Sequence, residues 1–347
     1  NPWRAEAGRL GVALVDEPAG SFRVVTAQET SPEQGQRRRG QFRRLSTLLE
    51  GAGVPDLSVA EIAAREGLSE AASGLTRMAL GEEPGRVSAR DYARLWSGDD
   101  LVAPEGFGRL VAACARGLDV RTGVAALGVA WDGAGVSIET TRGTLRARVA
   151  IVTLPVGVLK AGAVAFRPEL PAATLRALDG LEMGVLSKIA LAFDGERFGM
   201  SGPADIVLAQ GETLIDFDCW AFERPLVVGY VGGDAAREMA RLGPDGAVAS
   251  ALDAFALAVG GEARRRFRGG RFYGWADDPL ARGAYSHALP GRAGARAELA
   301  TPVGDRLIFA GEATGGEGGD FGGAMTAGGA YLAGRNAARA AAALTRG

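Results

Sequence analysis

The stretch that most constrains the fold lies near the end of the chain, between Arg306 and Tyr331. It opens with a short apolar run, Leu307 to Ala310, which is typical of a fully buried strand. Glycines crowd the residues that follow, where they favour irregular backbone and let a ligand approach closely. A run rich in glycine and alanine then predicts a helix whose N-terminal N–H groups suit an anion or a polar ring edge. This pattern indicates a nucleotide-like ligand or, with equal weight, a helix packed tightly on a sheet.

The size and charge of the chain limit its class. The 347 residues are 47% hydrophobic, which is enough for a large core and predicts two domains. The net charge of -2 implies no general attraction to nucleic acid or to an anionic membrane. One dense basic run, Arg37 to Arg39 with Arg43 and Arg44, has no aromatic residues interleaved with it. We interpret it as a solvated helix face rather than a nucleic-acid site.

Metal-binding and membrane signals are sparse. The two cysteines, Cys114 and Cys219, lie far apart and are interpreted as small core residues. The single histidine, His287, is too few for a His-rich metal site, so no metal is predicted. No apolar run reaches the roughly 18 residues of a membrane span and no secretory signal opens the chain, so we expect a cytoplasmic protein. The first residue is Asn1 rather than methionine, which indicates a processed or truncated start.

The first 97 residues have a mostly helical pattern without a catalytic motif. Residues 31–50 begin with a serine cap and a proline, which predicts a helix start. The apolar stripe of this helix comprises Phe42, Leu45, Leu48 and Leu49. Ser58 followed by Glu61 predicts a capping box, and Ser88 opens a further helix.

From about residue 101 the pattern changes to mixed strands and helices. Turn signals separate strands at residues 124–131, 136–140 and 145–152, which predicts a β-meander whose last strand enters a core. A later strand is predicted from Leu186 to Phe193. Its alternation places Ile189, Leu191 and Phe193 on one face and Lys188, Ala190 and Ala192 on the other.

Four segments then occur in the order seen in one family. They are residues 153–160 (TLPVGVLK), 183–194 (MGVLSKIALAFD), 275–286 (WADDPLARGAYS), and 309–314 (FAGEAT) with 322–328 (GGAMTAG). Together they make the chain similar to the flavin-dependent amine oxidases, which include monoamine oxidases, polyamine oxidases and the flavin histone-lysine demethylases. The resemblance covers the chain from about residue 100 to its end.

The resemblance implies FAD as the cofactor. The positions that correspond to the cofactor site of the family are Ala126, Thr153, Leu154, Trp275, Glu312, Asp320 and Phe321. Because a carboxylate is unfavourable beside a pyrophosphate, backbone N–H groups are expected to matter more than charge around Glu312. Asp320 and Phe321 correspond to the helix entry, where backbone N–H groups bond the flavin pyrimidine edge and disperse its charge on reduction.

For the reaction itself, the resemblance implies three residues. Lys188 corresponds to the catalytic family lysine that holds a water against the flavin N5, although a lysine on a half-exposed strand is the simpler reading of the residue alone. Trp275 corresponds to a tryptophan beside the flavin ring, and Tyr285 to one wall of an aromatic cage for the amine. Either aromatic residue is otherwise explained by packing. Asp320 is a second substrate-binding candidate, because its carboxylate would attract a cationic amine.

Three positions depart from the family pattern. The chain contains no G-x-G-x-x-G loop, since neither Gly51-Ala52-Gly53 nor Gly316-Glu317-Gly318 has the third glycine. The acidic residue that should follow it to bind the ribose is absent too. Ala284 stands where monoamine oxidases carry the cysteine bonded to the flavin, so non-covalent FAD is expected. Asp320 replaces a common cage residue.

We therefore predict a mixed α/β protein with the two-domain FAD/NAD(P)-binding fold, a β-meander and a mixed-sheet substrate domain, lacking the N-terminal Rossmann unit. Residues 98–183 and 293–347 are assigned to the FAD-binding domain, and residues 1–97 and 184–292 to the substrate-binding domain. The expected function is oxidation of a small-molecule amine, with hydride transfer to flavin N5, imine hydrolysis and reduction of O2 to H2O2.

Three alternatives stay open. The first is a non-catalytic or split-protein fragment whose partner supplies the missing βαβ unit. The second is a flavin desaturase, which Lys188 and residues 275–285 disfavour. The third is a hydrolase that uses His287, although the sequence has no glycine–serine–glycine nucleophile motif.

Overall fold

The structure is a computed structural model of the 347-residue chain. It describes residues 1–16, 21–26, 32–51, 53–94, 101–210, 213–315 and 323–346. Helices and strands are numbered along the chain. The fold is mixed α/β, as predicted.

The chain forms two compact units. Unit 1 comprises residues 1–17, 94–183 and 286–347, and unit 2 comprises residues 18–93 and 184–285. The boundaries between the units fall after residues 17, 93, 183 and 285, and the first 17 residues belong to the unit that contains the meander. The assignment of residues 98–183 and 293–347 to an FAD-binding domain, and of residues 1–97 and 184–292 to a substrate-binding domain, stays a prediction.

Unit 2 is built on a six-stranded mixed sheet. Its strands are β2 (Ser21–Thr26), β10 (Leu186–Phe193), β11 (Ala204–Gln210), β12 (Thr213–Cys219), β13 (Leu226–Gly232) and β14 (Phe267–Gly274). Their order is β14-β10-β13-β12-β11-β2, with β2 parallel to β11 and the other pairs antiparallel. Its helices are α2 (Pro32–Glu50), α3 (Val59–Arg65), α4 (Ser69–Leu80), α5 (Ala89–Tyr92), α9 (Gly233–Arg241), α10 (Gly243–Val259) and α11 (Glu262–Arg266).

One face of this sheet carries the core of unit 2. Ile189, Leu191 and Phe193 are 0%, 0% and 4% exposed, which confirms the predicted alternation of β10. Phe217 on β12 and Phe255 on α10 join them, with ring centroids 5.3 Å apart. Since apolar side chains fill this face, the opposite face of β10 is left to Lys188 and its neighbours.

The helix starts of unit 2 follow their sequence signals. Ser58 and Glu61 form the predicted capping box of α3, and the Ser88 hydroxyl accepts from the Asp91 N–H to cap α5. In α2, Leu45 and Leu49 are buried as predicted, whereas Leu48 is 36% exposed. Leu48 therefore lies at the exposed edge of the predicted apolar stripe. Arg37 and Arg39 lie on the exposed face of α2.

Unit 1 contains the predicted meander. Its helices are α1 (Pro2–Leu10), α6 (Phe107–Cys114), α7 (Val156–Lys160), α8 (Ala172–Asp179), α12 (Ala295–Ala300) and α13 (Ala327–Leu344). Its strands are β1 (Val15–Asp16), β3 (Leu101–Val102), β4 (Ala126–Ala130), β5 (Val136–Thr140), β6 (Gly143–Ala147), β7 (Ala150–Val152), β8 (Ala165–Arg167), β9 (Leu181–Met183), β15 (Ser286–Ala288) and β16 (Leu307–Phe309). Strands β6, β5, β4 and β8 form one sheet in that order.

The third predicted strand of the meander is in fact two strands. Residues 143–147 complete the meander as β6, while Ala150–Val152 form β7 and pair in parallel with β16. The break at Arg148 and Val149 separates a solvated strand from a core strand. The change from alternating to wholly apolar residues marked this break, because the two kinds of strand bury different numbers of faces.

The parallel pair sets the geometry of unit 1. Strand β16 is buried on both faces, because Leu307, Ile308 and Phe309 are 0%, 3% and 3% exposed. The apolar run from Leu307 to Ala310 predicted this burial. Because β7 and β16 are parallel, their carboxyl ends lie at the same edge. The segments that leave them there are residues 153–154 and 310–312. This edge is where α/β sheets bind ligands.

Helix α13 follows the glycine-rich segment. The Thr326 hydroxyl accepts from the Gly329 N–H at 2.9 Å and caps its start. A Cβ on Gly329 would meet the Gly323 carbonyl oxygen at 1.8 Å, so this close approach requires glycine. Among the described residues, no helix is long and apolar enough to cross a membrane.

Candidate functional site

The exposed face of the unit 2 sheet brings charged and aromatic side chains together around Lys188. In the strand register, Lys188 lies opposite Tyr230 on β13 and opposite Tyr273 on β14. Tyr230 in turn lies opposite Asp216 on β12. The Lys188 Nζ is 4.9 Å from the centroid of the Tyr230 ring, which is cation–π distance.

The environment of Lys188 favours its neutral form. Burial lowers the pKa of Lys188, because the ammonium group loses hydration there. The carboxylate of Asp218 opposes this shift by raising the pKa, but its effect is the smaller of the two. A lysine with a lowered pKa can accept a hydrogen bond from water at a pH where an ordinary lysine only donates.

Trp275 and Tyr285 lie on one segment that is tied to the start of β10. The Trp275 carbonyl accepts from the N–H groups of Asp278 and Gly283, which closes the segment into a loop. The Gly184 N–H donates to the Tyr285 carbonyl at 2.8 Å, and the Ala284 N–H donates to the Gly184 carbonyl at 2.9 Å. Both aromatic residues are therefore anchored near the strand that carries Lys188.

These two aromatic residues differ in exposure. Trp275 is 45% exposed, which is more than we expect for a tryptophan whose only role is packing in a core. Tyr285 is half-buried, and burial raises the pKa of its hydroxyl. Tyr285 therefore stays protonated across the physiological range.

In unit 1, Thr153, Leu154 and Glu312 lie at the carboxyl edge of the parallel pair. Thr153 is exposed and Leu154 is half-buried directly after β7. Glu312 follows β16 after Gly311, whose φ of 128° is a conformation that glycine adopts readily. Ala126, the remaining cofactor candidate of this unit, is half-buried at the first position of β4, opposite Thr140. It belongs to the meander rather than to the parallel pair.

The Glu312 carboxylate is bound inside unit 1. Its Oε2 accepts from the Ser286 hydroxyl at 2.8 Å and from the Ser286 N–H at 3.3 Å. The Ser286 Oγ accepts in turn from the Arg296 guanidinium at 2.7 Å. Ser286 and Arg296 are 0% and 1% exposed and Glu312 is half-buried, so this charged network is mostly shielded from solvent.

Other predicted features lie apart from these groups. Asp320 and Phe321 fall outside the described residues. His287 is 1% exposed on β15, opposite Glu182, so it is closed to solvent. Cys219 is buried, as predicted for a core residue, while Cys114 is only half-buried. Within the described ranges there is no group of His, Cys, Asp or Glu side chains that could hold a metal ion.

Sequence reasoning missed several residues of these two regions. They are Asp216, Asp218, Tyr230, Tyr273, Ser286 and Arg296. The strand pattern Leu-Ile-Asp-Phe-Asp of β12 alternates apolar and acidic residues, so it could have identified Asp216 and Asp218 as a polar face. Arg296 had no such signal, because its burial depends on contacts that are distant in sequence.

The parallel pair, the meander and the mixed sheet with a polar lysine face define an α/β protein whose parallel strands end at the kind of edge where such sheets bind ligands. The chain belongs to the family described as flavin containing amine oxidoreductase, which matches residues 15–342. This confirms the family inferred from the four sequence segments.

Curated relatives match about two thirds of the chain. Lysine-specific histone demethylase 1 homolog 2 from Arabidopsis thaliana is 29% identical over 242 residues, covering 62% of this chain and 30% of the relative. Polyamine oxidase 4 from Oryza sativa subsp. japonica is 31% identical over 232 residues, covering 64% of this chain and 46% of the relative. The chain thus spans less than half the length of these relatives.

Solved structures share the fold. Cyclohexylamine oxidase from Brevibacterium oxydans IH-35A has a TM-score of 0.77 and 19% identity, covering 98% of this chain and 85% of the oxidase. Wild-type putrescine oxidase bound to putrescine has a TM-score of 0.78 and 16% identity, with the same coverage. The predicted FAD-type fold is therefore confirmed.

Proposed function

We propose that this protein oxidises a small-molecule amine with FAD, at the expense of O2. The observation that carries the proposal is Lys188: a half-buried lysine with a lowered pKa on the polar face of the mixed sheet, in a chain of the amine oxidoreductase family. Its position opposite two tyrosines distinguishes it from an ordinary surface lysine.

The residues of unit 1 fit the phosphate-bearing part of FAD. Two parallel strands end at one edge, and the turn at Gly311 allows backbone to approach a ligand. Within the described part of the chain, the N–H groups of Gly311 and Ala313 donate no backbone hydrogen bond. Such donors suit phosphate oxygens. We assign Thr153, Leu154 and the Glu312 turn to FAD binding, and Ala126 to an adenine contact through its backbone.

Unit 2 supplies the residues proposed to act on the amine. FAD, when bound, accepts the hydride from the carbon beside the amine nitrogen. Lys188, whose lowered pKa makes its neutral form more accessible, would hold a water molecule in place. Tyr285 would guide the substrate with its aromatic face, and Trp275 would contact the flavin ring. No further general base is needed if the amine enters unprotonated. We propose that FAD binds non-covalently, because Ala284 offers no nucleophile where some relatives carry a cysteine.

A second proposal concerns the phosphate site. The chain contains no G-x-G-x-x-G loop, and among the described residues no strand pairs with the second edge of β7. Ala150 and Val152 bond toward β16, so the backbone of Ile151 faces that second edge, and Ile151 is 39% exposed. We propose that a glycine-rich βα unit outside these 347 residues pairs there and completes the site. Without it, the chain acts as a fragment unable to hold FAD, which is the alternative function.

Flavin absorbance separates these proposals. The protein is purified, its visible spectrum is recorded, and FAD is then titrated into it. A yellow preparation, or saturable FAD binding, supports the enzyme. A colourless protein that binds FAD only when a glycine-rich βα unit is fused to it supports the completing unit. A protein that binds no FAD in either form contradicts the proposed function.

A further inference from the structure

The buried network around Ser286 assigns a role to Glu312 that differs from direct contact with the cofactor. Arg296 is 1% exposed, and a buried guanidinium is stable only where its N–H groups are bonded and its charge is balanced. Its nitrogens donate to the Ser286 Oγ at 2.7 Å, the Ser286 carbonyl at 2.9 Å and the Ala313 carbonyl at 3.2 Å. The Ser286 Oγ among these acceptors also contacts a carboxylate, that of Glu312.

One hydroxyl group links the Arg296 guanidinium to the Glu312 carboxylate. A serine hydroxyl has a single hydrogen to donate. Because the Ser286 Oγ accepts from Arg296, its own O–H points at the Glu312 Oε2, 2.8 Å away. The Ser286 N–H donates to the same oxygen at 3.3 Å. Ser286 therefore links the guanidinium to the Glu312 carboxylate and turns that carboxylate into the unit.

The same arginine also fixes the turn that follows β16. Its bond to the Ala313 carbonyl holds the residue next to Glu312. The Met325 N–H donates to the Glu312 carbonyl at 3.1 Å, which ties the turn to the segment before α13. Residues of unit 1 therefore bind the Glu312 side chain, the Glu312 carbonyl and the Ala313 carbonyl.

We propose that Arg296 and Ser286 are positioning residues that hold the Glu312 carboxylate inward, so that the turn presents the backbone N–H groups of Gly311 and Ala313 rather than a carboxylate to the phosphates of the cofactor. This inference rests on the proposed FAD binding. It resolves the unfavourable pairing of a carboxylate with a pyrophosphate, because Arg296 offsets the charge and Ser286 occupies the carboxylate oxygen.

A double-mutant cycle tests the network without any cofactor. The proteins are the wild type, Arg296→Gln, Glu312→Gln and the double variant, compared by urea unfolding. We expect each single variant to unfold at lower urea, and the double variant to unfold at higher urea than the sum of the two losses predicts. Arg109→Gln, at an exposed arginine of the same unit whose ion pair with Glu105 is solvated, is the control and should be near neutral. If the stability losses of the two single variants add up to that of the double variant, Arg296 and Glu312 are not coupled and the proposal is overturned.

FAD titration tests the consequence for the ligand, in whichever form of the protein binds FAD. We expect Arg296→Gln to weaken FAD about tenfold, because the released carboxylate repels the phosphates. Added salt should recover part of that loss by screening, which a merely structural defect would not show. Glu312→Gln and the double variant should bind FAD within about threefold of the wild type.

Two further outcomes separate the proposals. If Glu312→Gln weakens FAD as much as Arg296→Gln and the double variant is weaker still, Glu312 contacts the cofactor directly and the inference is overturned. If no form of the wild-type protein binds FAD, the proposed function fails together with the ligand part of this inference, while the unfolding cycle still decides whether the network exists.

Discussion

The Lys188 Nζ lies 4.9 Å from the centre of the Tyr230 ring, on the face of the unit 2 sheet that faces away from its core. The ring face is a favourable place for an ammonium group, while burial of the side chain lowers the pKa of Lys188 against the smaller, opposite effect of the Asp218 carboxylate. Lys188 therefore loses its positive charge at a lower pH than an ordinary lysine does.

Lys188 should be required for the chemical step. We expect Lys188→Met to slow flavin reduction by an amine by about a hundredfold or more, which is typical for loss of a proton-handling group. FAD affinity should stay unchanged, because Lys188 lies in unit 2 and the phosphate candidates lie in unit 1. Stopped-flow absorbance measures the rate. The sequence has one other lysine, Lys160, which pairs with Glu182 on unit 1. Lys160→Met is therefore the matched control and should leave the rate unchanged.

The same substitution should stabilise the protein at neutral pH. The pKa of Lys188 is lower in the folded chain than in the unfolded chain, so the folded state binds this proton less well. The loss of folding stability that this causes is fully present below the pKa of Lys188 in the folded chain. It disappears as the pH rises toward the pKa of Lys188 in the unfolded chain. We expect Lys188→Met to raise the thermal midpoint at pH 7 and the gain to shrink at more alkaline pH. A gain that grows with pH would contradict the lowered pKa.

Asp218 should tune the pH dependence of the reaction. Its carboxylate raises the pKa of Lys188, so Asp218→Asn should lower that pKa further. The rise of the flavin reduction rate with pH then moves to lower pH, by roughly half a unit. Asp205, which lies opposite Asp218 in the strand register, provides the control. Asp205→Asn should shift the pH profile of the flavin reduction rate less than Asp218→Asn does. An equal shift for both variants would contradict a specific effect of Asp218 on Lys188.

Gly184 should be intolerant of a side chain. A Cβ at this position would lie 1.8 Å from the Leu80 carbonyl oxygen, at the start of the strand that carries Lys188. We expect Gly184→Ala to destabilise the protein by about 1–3 kcal/mol, as overpacking does. Gly202, whose Cβ would meet nothing within 4 Å, is the matched control. Urea unfolding compares the two, and equal stabilities would contradict the close contact.

Much of this architecture was predictable because it depends on local patterns. The alternation of β10, the capping box at Ser58 and the buried strand before Gly311 are written in neighbouring residues. The division of residues 145–152 into two strands was missed, although a change in pattern marked it. The polar face around Tyr230 and the burial of Arg296 depend on strand register and long-range packing, so sequence periodicity alone does not identify them. The family resemblance identified Lys188 where its local pattern favoured a surface lysine.

The most direct test of the proposed function is anaerobic reduction of the bound flavin. The protein with FAD bound, fused to a glycine-rich βα unit if it needs one, is mixed with amines of graded size in the absence of O2. The account predicts that at least one amine bleaches the visible flavin absorbance, that Lys188→Met slows this bleaching, and that admitting O2 restores the colour with formation of H2O2. Flavin that stays oxidised with every amine, in a protein that binds FAD tightly, would contradict amine oxidation.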